Sequence, residues 1–410
     1  MRVLFISSSH YPEKWSNYTN GSLRRKKVFF DALKNEFEID LLYYVPLDIE
    51  IGDVKQQCAE LEIRQEWKAS VNCFFCHYSS LTQNKKWVKH FSGIFGFFQQ
   101  WKYYRVAEQQ QILALEECLK REPDLIFAQR LESMVPLLLT QKPLPPILFD
   151  LDDVEHVRFV RQLQYSPSLL EKLFFLHVPA RFWGEYRAIK RSSMTFVCSQ
   201  KDQDYLSKTW KLPRVHVVPN SIEIPQAQEL CSQPNILFLG SYAHPPNVFA
   251  ADFLIEKIWP LIQARLPAAR LMIAGEQPEN IRAYGRALTH VEFLGFVPDL
   301  EALYLNTRLV CCPVFSGAGT RVKIVEASAY GKPIVSTRMG AEGLAVEDSK
   351  QLLLRDDPVE FAQACIQVLL DDTLALSLGT AARAAAIQYY NSEAIQKCIR
   401  QHIAQVLERH

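Results

Sequence analysis

The chain is expected to fold as an α/β protein, with two doubly wound, Rossmann-like parallel-sheet domains facing a cleft. Three observations predict this. At 410 residues the chain is too long for one hydrophobic core. Short runs rich in β-branched and aromatic residues alternate with helical stretches through both halves. Such alternation favours parallel strands with helices covering both faces. The alternation then breaks near the middle, where Pro213, Pro219, Pro225 and Pro234 fall close together.

The elements follow in order. Strands are expected at 3–7, 39–45, 71–78, 124–128, 147–151 and 194–198, with helices such as 23–34 and 103–120 between them. The second half repeats the theme with strands at 236–240, 270–274, 291–294, 309–315 and 334–337. The last stretch, 358–410, reads as two or three helices with no strand. The division is therefore an N-terminal domain at 1–212, a linker at 213–234 and a C-terminal domain at 235–410 that includes the terminal helices.

Composition narrows the function. Hydrophobic residues make up 48% and charged residues 22%, ordinary proportions for a soluble globular enzyme. A formal net charge of +1 supplies no global field toward nucleic acid, so no nucleic-acid partner is expected and any anion site must be local. No apolar run approaches the roughly 18 residues that cross a bilayer. The first residues, Met1 to Ser7, are too short an apolar stretch for a signal peptide, so a cytoplasmic protein is expected. The ten cysteines fit that compartment as small buried hydrophobes. Cys73-Phe-Phe-Cys76-His77 matches the c-type haem attachment spacing, but its flanks read as a strand and no second ligand pair for zinc is evident. No resident cofactor and no metal are expected.

The most informative stretch is Ser316-Gly-Ala-Gly-Thr-Arg-Val-Lys-Ile-Val-Glu-Ala-Ser-Ala-Tyr-Gly-Lys-Pro333. A glycine loop (Gly317, Ala318, Gly319, Thr320) follows a buried strand and opens a helix that stops at Gly331, with Pro333 just beyond. That arrangement aims backbone N–H groups and the positive end of the helix dipole at an anion. Arg321 and Lys323 add two cations, and Glu326 adds a carboxylate about one turn further on. The combination suits a nucleoside diphosphate: the cations hold the diphosphate and the carboxylate accepts from the ribose hydroxyls.

These residues, with others in the same half, resemble family 4 glycosyltransferases of the GT-B fold, a group of retaining enzymes that use nucleotide sugars. The pieces occur in the family's order. Gly240-Ser241 ends a strand and is followed by His244-Pro-Pro-Asn247; Gly275 ends the next strand. Gly295-Phe296-Val297 is similar to the family's Gly-x-Val segment against the nucleobase, and Gly331 to Thr337 and Gly340 to Gly343 come after the glycine loop. The resemblance implies a nucleotide-diphosphate sugar donor, a glycan or lipid-linked acceptor, and a role in surface polysaccharide or glycoconjugate assembly. It also implies metal-free chemistry in which Arg321 and Lys323 stabilise the leaving diphosphate and Glu326 holds the ribose. The chain departs from the family at two places. The first of two signature glutamates is replaced by Ala318, and the cations that often follow the first strand are replaced by Ser241 and Asn247.

The N-terminal half matches more loosely. His10-Tyr-Pro12, then Gly21 opening a helix with Arg24, Arg25 and Lys26, is similar to the family's acceptor-side loop. Phe149-Asp-Leu-Asp-Asp-Val-Glu-His156 contains Asp-x-Asp, which binds a divalent metal in a different glycosyltransferase fold. Three readings stay open there: metal binding, a ligand-facing role for Asp153, Glu155 or His156, and helix capping by Asp152 or Asp153. Segment 85–105 interleaves five cations with eight aromatics, a composition suited to peripheral contact with a membrane face, and 174–191 could widen that patch. Plainer readings stand beside these: Glu326 as a helical partner of Lys323, Arg321 as a solvated first-turn residue, the loop glycines as a tight turn, and the aromatics of 85–105 as packing residues. A nucleotide-sugar epimerase on the same fold and a non-catalytic nucleotide-sugar binder are the alternative functions.

Overall fold

The computed structural model describes residues 1–8, 21–46, 64–65, 71–78, 94, 109–165, 169–212, 214–317 and 319–409. The chain forms two compact units. Unit 1 comprises Met1–Ser221 and Glu393–His410, and unit 2 comprises Ile222–Ser392.

Unit 1 is built on a seven-stranded parallel sheet of β1 (Arg2–Ser7), β2 (Glu38–Pro46), β3 (Val71–Tyr78), β4 (Leu125–Gln129), β5 (Ile147–Asp152), β6 (Met194–Val197) and β7 (Val215–Val217). The spatial order is β3-β2-β1-β4-β5-β6-β7. Val3, Leu4, Phe5 and Ile6 of β1 are all fully buried, because a central parallel strand is covered on both faces and has no solvent side. Two cores follow from the alternation. Val3 and Phe5 pack with Phe29 and Phe30 of helix Gly21–Leu33 on one face, and Leu4 and Ile6 pack with Leu131 and Met134 of helix Arg130–Leu139 on the other. Cys73 and Cys76 lie buried in β3, in agreement with the strand reading of this run.

Unit 2 holds a six-stranded parallel sheet of β8 (Asn235–Leu239), β9 (Arg270–Ala274), β10 (Val291–Gly295), β11 (Leu309–Cys312), β12 (Ile334–Ser336) and β13 (Leu353–Leu354). Its order is β10-β9-β8-β11-β12-β13. Neighbouring β8 and β11 therefore hand the chain on in opposite directions, β8 toward β9 and β11 toward β12. This is a topological switch point, where ligands of open α/β sheets collect beyond the strand C-termini.

The expected division of the chain needs two corrections. Residues 215–217 were expected in the linker but pair with β6 as β7, because Val215 completes the apolar face of the first sheet. The terminal helix Ser392–Leu407 was expected in the C-terminal domain but belongs to unit 1 from Glu393 onward. Its stripe of Ile395, Ile399, Ile403 and Val406 repeats at helical spacing and is buried in the core with Phe29, Phe196 and Val218. Hydrophobic periodicity identifies a helix but not the sheet on which it lies.

Candidate functional site

The loops leaving β8 and β11 at the switch point carry most of the expected site. After β11 the chain runs through Gly317 and Gly319, both with positive φ (113° and 72°), into helix Val322–Ala329. Arg321 is the residue capping that helix. Its guanidinium folds back onto its own loop, donating from Nη1 to the Gly319 carbonyl at 2.6 Å and from Nη2 to the Ser316 carbonyl at 3.1 Å. A Cβ at Gly317 would stand 3.0 Å from Nη2, so this glycine answers both the backbone angle and the arginine. The charge is thereby held at the helix N-terminus, where it opposes the dipole and where a bound anion would compensate it. The loop is tied to β12 by Ser336, whose hydroxyl donates to the Cys312 carbonyl at 3.0 Å, and by Thr337, whose hydroxyl donates to the Val314 carbonyl. Ala318 lies outside the described residues.

Lys323 sits in the first turn of the helix and reaches across to β8. Its ammonium donates to Asn247 Oδ1 at 2.9 Å and lies 4.5 Å from the centroid of the Phe238 ring. Burial holds this ammonium down to about 8; Cys312 and Glu326 act in the opposite direction and Arg321 in the same one. Asn247, in helix Pro245–Phe253, donates from Nδ2 to the Ser241 carbonyl at 2.8 Å. Gly240, Ser241, Asn247, Arg321 and Lys323, read from two distant parts of the sequence, thus belong to the two loops of one switch point. Glu326 is buried and accepts a hydrogen bond from the Tyr304 hydroxyl at 3.2 Å; Tyr304 in turn stacks on Tyr330 with ring centroids 4.3 Å apart. Thr320 is also buried.

Gly275 serves the same end of the sheet in a different way. It has φ 138°, and a Cβ there would lie 1.7 Å from the Gly240 carbonyl oxygen. It is a close-approach residue that lets the β9 terminus press against the β8 loop. Its N–H donates to the Gly295 carbonyl at 2.7 Å. Beyond Gly295, Phe296 is exposed and Val297 packs, partly buried, against the core.

Unit 1 presents a different picture. Gly21 opens helix Gly21–Leu33, as expected, while His10 and Pro12 lie outside the described residues. Asp150 of the Asp-x-Asp run is fully buried and gripped by Arg25, with Nε at 2.9 and 3.0 Å and Nη2 at 2.6 Å from its oxygens. Asp152 faces Arg25 at 3.3 Å and Arg130 at 3.1 Å. Asp152, Asp153 and Cys198 offer ligand atoms within 4.8 Å of one another, but Asp152 spends both carboxylate oxygens on arginines. Asp150 and Asp152 are thus engaged by arginines. Burial, reinforced by Asp152, pushes the half-buried Asp153 up to about 6. His156 corrects the expectation of a ligand-facing ring. It is buried, its Nδ1 engages Glu185, and its Nε2 meets the Tyr205 hydroxyl at 2.8 Å, so it ties helix Glu155–Tyr165 to helices Val178–Arg191 and Gln200–Trp210. Glu155 is likewise paired, with Arg181 and Arg158.

Residues 233–371 match the family model described as Glycosyl transferases group 1, a span that runs from before β8 to beyond β13 and contains both switch-point loops. Among curated relatives, an uncharacterized 44.6 kDa protein in the cps region of Klebsiella pneumoniae is 27% identical over 208 residues, 48% of this chain and 53% of that protein. A phosphatidyl-myo-inositol mannosyltransferase of Mycobacterium leprae is 27% identical over 187 residues, 42% and 49% of the two chains. The chain spans about half the length of these curated relatives. Among solved structures, sucrose-phosphate synthase from Thermosynechococcus elongatus aligns over 100% of both chains with a TM-score of 0.72 at 16% identity. The fold is GT-B. Anabaena HepE, solved with UDP and glucose, aligns over 98% of this chain and 99% of its own with a TM-score of 0.64, also at 16% identity.

Proposed function

We propose that the chain is a glycosyltransferase that moves a sugar from a nucleoside-diphosphate sugar to a glycan or lipid-linked acceptor. The carrying observation is the convergence of Lys323, Arg321 and the helix N-terminus at the β8–β11 switch point. The match to Glycosyl transferases group 1 and the UDP-bound neighbour support this reading. Transfer builds negative charge on the departing diphosphate. Preorganised donors in a partly water-excluded crevice lower that barrier, and here the Lys323 ammonium, the Arg321 guanidinium and the helix dipole supply them. Glu326 accepts from the ribose hydroxyls, with Tyr304 fixing one carboxylate oxygen, and Phe296 and Val297 flank the base. We assign retention of anomeric configuration, with no protein nucleophile, and a place in surface polysaccharide or glycoconjugate assembly. The relative from a cps region is consistent with the latter.

Two measurements test the parts. Glu326→Gln keeps the shape and loses charge-assisted acceptance, so affinity for UDP or whichever nucleoside diphosphate binds should fall by roughly 1.5–3 kcal/mol while the fold persists. Unchanged affinity by calorimetry would reduce Glu326 to a partner of Tyr304. Transfer should also persist in EDTA, because the cations of the site are lysine and arginine and the Asp-x-Asp carboxylates are held by Arg25 and Arg130. Loss of activity in EDTA, restored by Mg²⁺ or Mn²⁺, would overturn the metal-free reading.

The acceptor side is proposed to meet a membrane face through the basic and aromatic segment 85–105, of which all but residue 94 lies outside the described residues. Trp183, exposed on helix Val178–Arg191, is consistent with such a face. Anionic liposomes should float the protein at low salt and release it at high salt or after Lys85, Lys86 and Lys89 are changed to Glu. Failure to float at low salt would remove the membrane from the proposal, and flotation indifferent to those charges would remove segment 85–105 as the contact.

A further inference from the structure

Asn247 stands where a cation would be expected, yet its contacts give it a definite task. Its amide has a donor end and an acceptor end, and each is matched: Nδ2 donates to the Ser241 carbonyl at 2.8 Å, and Oδ1 accepts from Lys323 Nζ at 2.9 Å. The opposite amide orientation would set an NH₂ group against an ammonium and an oxygen against a carbonyl, so the two contacts fix the side chain in one sense. Gly240 leaves the space in which they meet. A Cβ at that position would lie 2.8 Å from Lys323 Nζ and 3.0 Å from Asn247 Cγ. The Phe238 ring closes another side of the ammonium. A long, flexible lysine is thereby held at one place, which removes much of the rotamer entropy it would otherwise lose on meeting an anion. Of three ammonium donors, the one hydrogen bond among the described residues goes to Asn247, which leaves donors for phosphate oxygens.

We infer that Asn247 is a positioning residue, bridging the Ser241 carbonyl to the Lys323 ammonium so that the cation of the β11-side helix is presented over the β8 loop. This rests on the reading of the crevice as a diphosphate site and adds how its charge is aimed. It also accounts for a neutral residue at 247, since a lysine there would repel Lys323 and displace it from Phe238.

The experiment is a double-mutant cycle read by calorimetry with UDP, repeated with GDP and ADP, on the full chain. Asn247→Ala should weaken nucleotide binding by about tenfold in the parent, within the range of coupling between bonded neighbours, and by less than about twofold in a Lys323→Ala background. Equal losses in both backgrounds would show that Asn247 acts alone and would overturn the inference. A ligand-free readout separates this from the nucleotide reading. The Lys323 ammonium, followed by NMR titration, should lose its proton at lower pH in Asn247→Ala, because an acceptor that favours the charged form is gone. The groups facing it are otherwise unchanged: Cys312 from β11, Arg321 and Glu326 from its own loop and helix, and Phe238 from β8. An unaltered titration would overturn the inference even if nucleotides bind. Should none of the three nucleotides bind the parent, the diphosphate reading falls, and the titration alone decides whether Asn247 positions Lys323.

Discussion

Replacing Arg321 or Lys323 by alanine is expected to slow sugar transfer by about 10²–10³-fold, the usual cost of removing one preorganised donor from developing charge. The expectation follows from placement. Lys323 is held by Asn247 and Phe238 before any ligand arrives, and Arg321 is pinned to two carbonyls of its own loop. Neither group must reorganise when the diphosphate leaves, so each acts more strongly in the transition state than on the bound donor. The loss should appear chiefly in kcat, measured at saturating donor by release of the nucleoside diphosphate. Arg321→Lys should recover only part of the rate, because one ammonium cannot reproduce two directed bonds to the Gly319 and Ser316 carbonyls. If both alanine variants turned over like the parent, the phosphate would have to be bound elsewhere.

Asp150→Asn should destabilise unit 1 by about 3–5 kcal/mol, because it strands a buried guanidinium. Arg25 and Asp150 are both fully buried, and Arg25 also donates to the Val218 carbonyl at 2.7 Å. Asp152, at 3.3 Å, offsets part of the stranded charge but already serves Arg130. Urea unfolding measures the effect, with the midpoint moving and the slope unchanged. Replacing both partners together by apolar residues, as in Arg25→Met with Asp150→Leu, should cost less than the single change, since no charge is then left alone. A single variant as stable as the parent would mean that water reaches this pair.

The sequence carried the architecture well because parallel strands buried on both faces read as dense apolar runs, and each expected run from 3–7 to 334–337 coincides with a strand. It also carried the glycine loop that the proposal reads as a phosphate site. Glycines at 317 and 319, a cation at 321 and a carboxylate at 326 have few joint uses outside an anion site. Other contacts depend on long-range register and were not legible. Asn247 read as a lost cation, since nothing in the sequence says that Lys323, 76 positions later, would bond to it. Asp150, as the first carboxylate of Asp-x-Asp, read as a metal-binding candidate. Its partner is Arg25, 125 positions earlier, and nothing within the run Ile147-Leu-Phe-Asp-Leu-Asp152 names it. His156 misled for the same reason, because a histidine beside acidic residues looks functional until Glu185 and Tyr205 are found on its two nitrogens.

The return of the terminal helix to unit 1 sets an order of events during synthesis. Unit 2 is one continuous stretch, Ile222–Ser392, whereas unit 1 is assembled from two segments separated by it. A nascent chain that has emerged through residue 221 still lacks Ile395, Ile399, Ile403 and Val406, so the apolar face around Phe29 and Phe196 waits uncovered. The usual vectorial sequence, with the N-terminal unit completed first, is inverted here. Unit 2 can close its core while tethered to the ribosome, and unit 1 must wait until residues 393–410 have been made. A fragment ending at 221 should therefore aggregate or recruit chaperones, whereas a fusion joining 1–221 to 393–410 through a flexible spacer restores a complete core and should be recovered as folded protein.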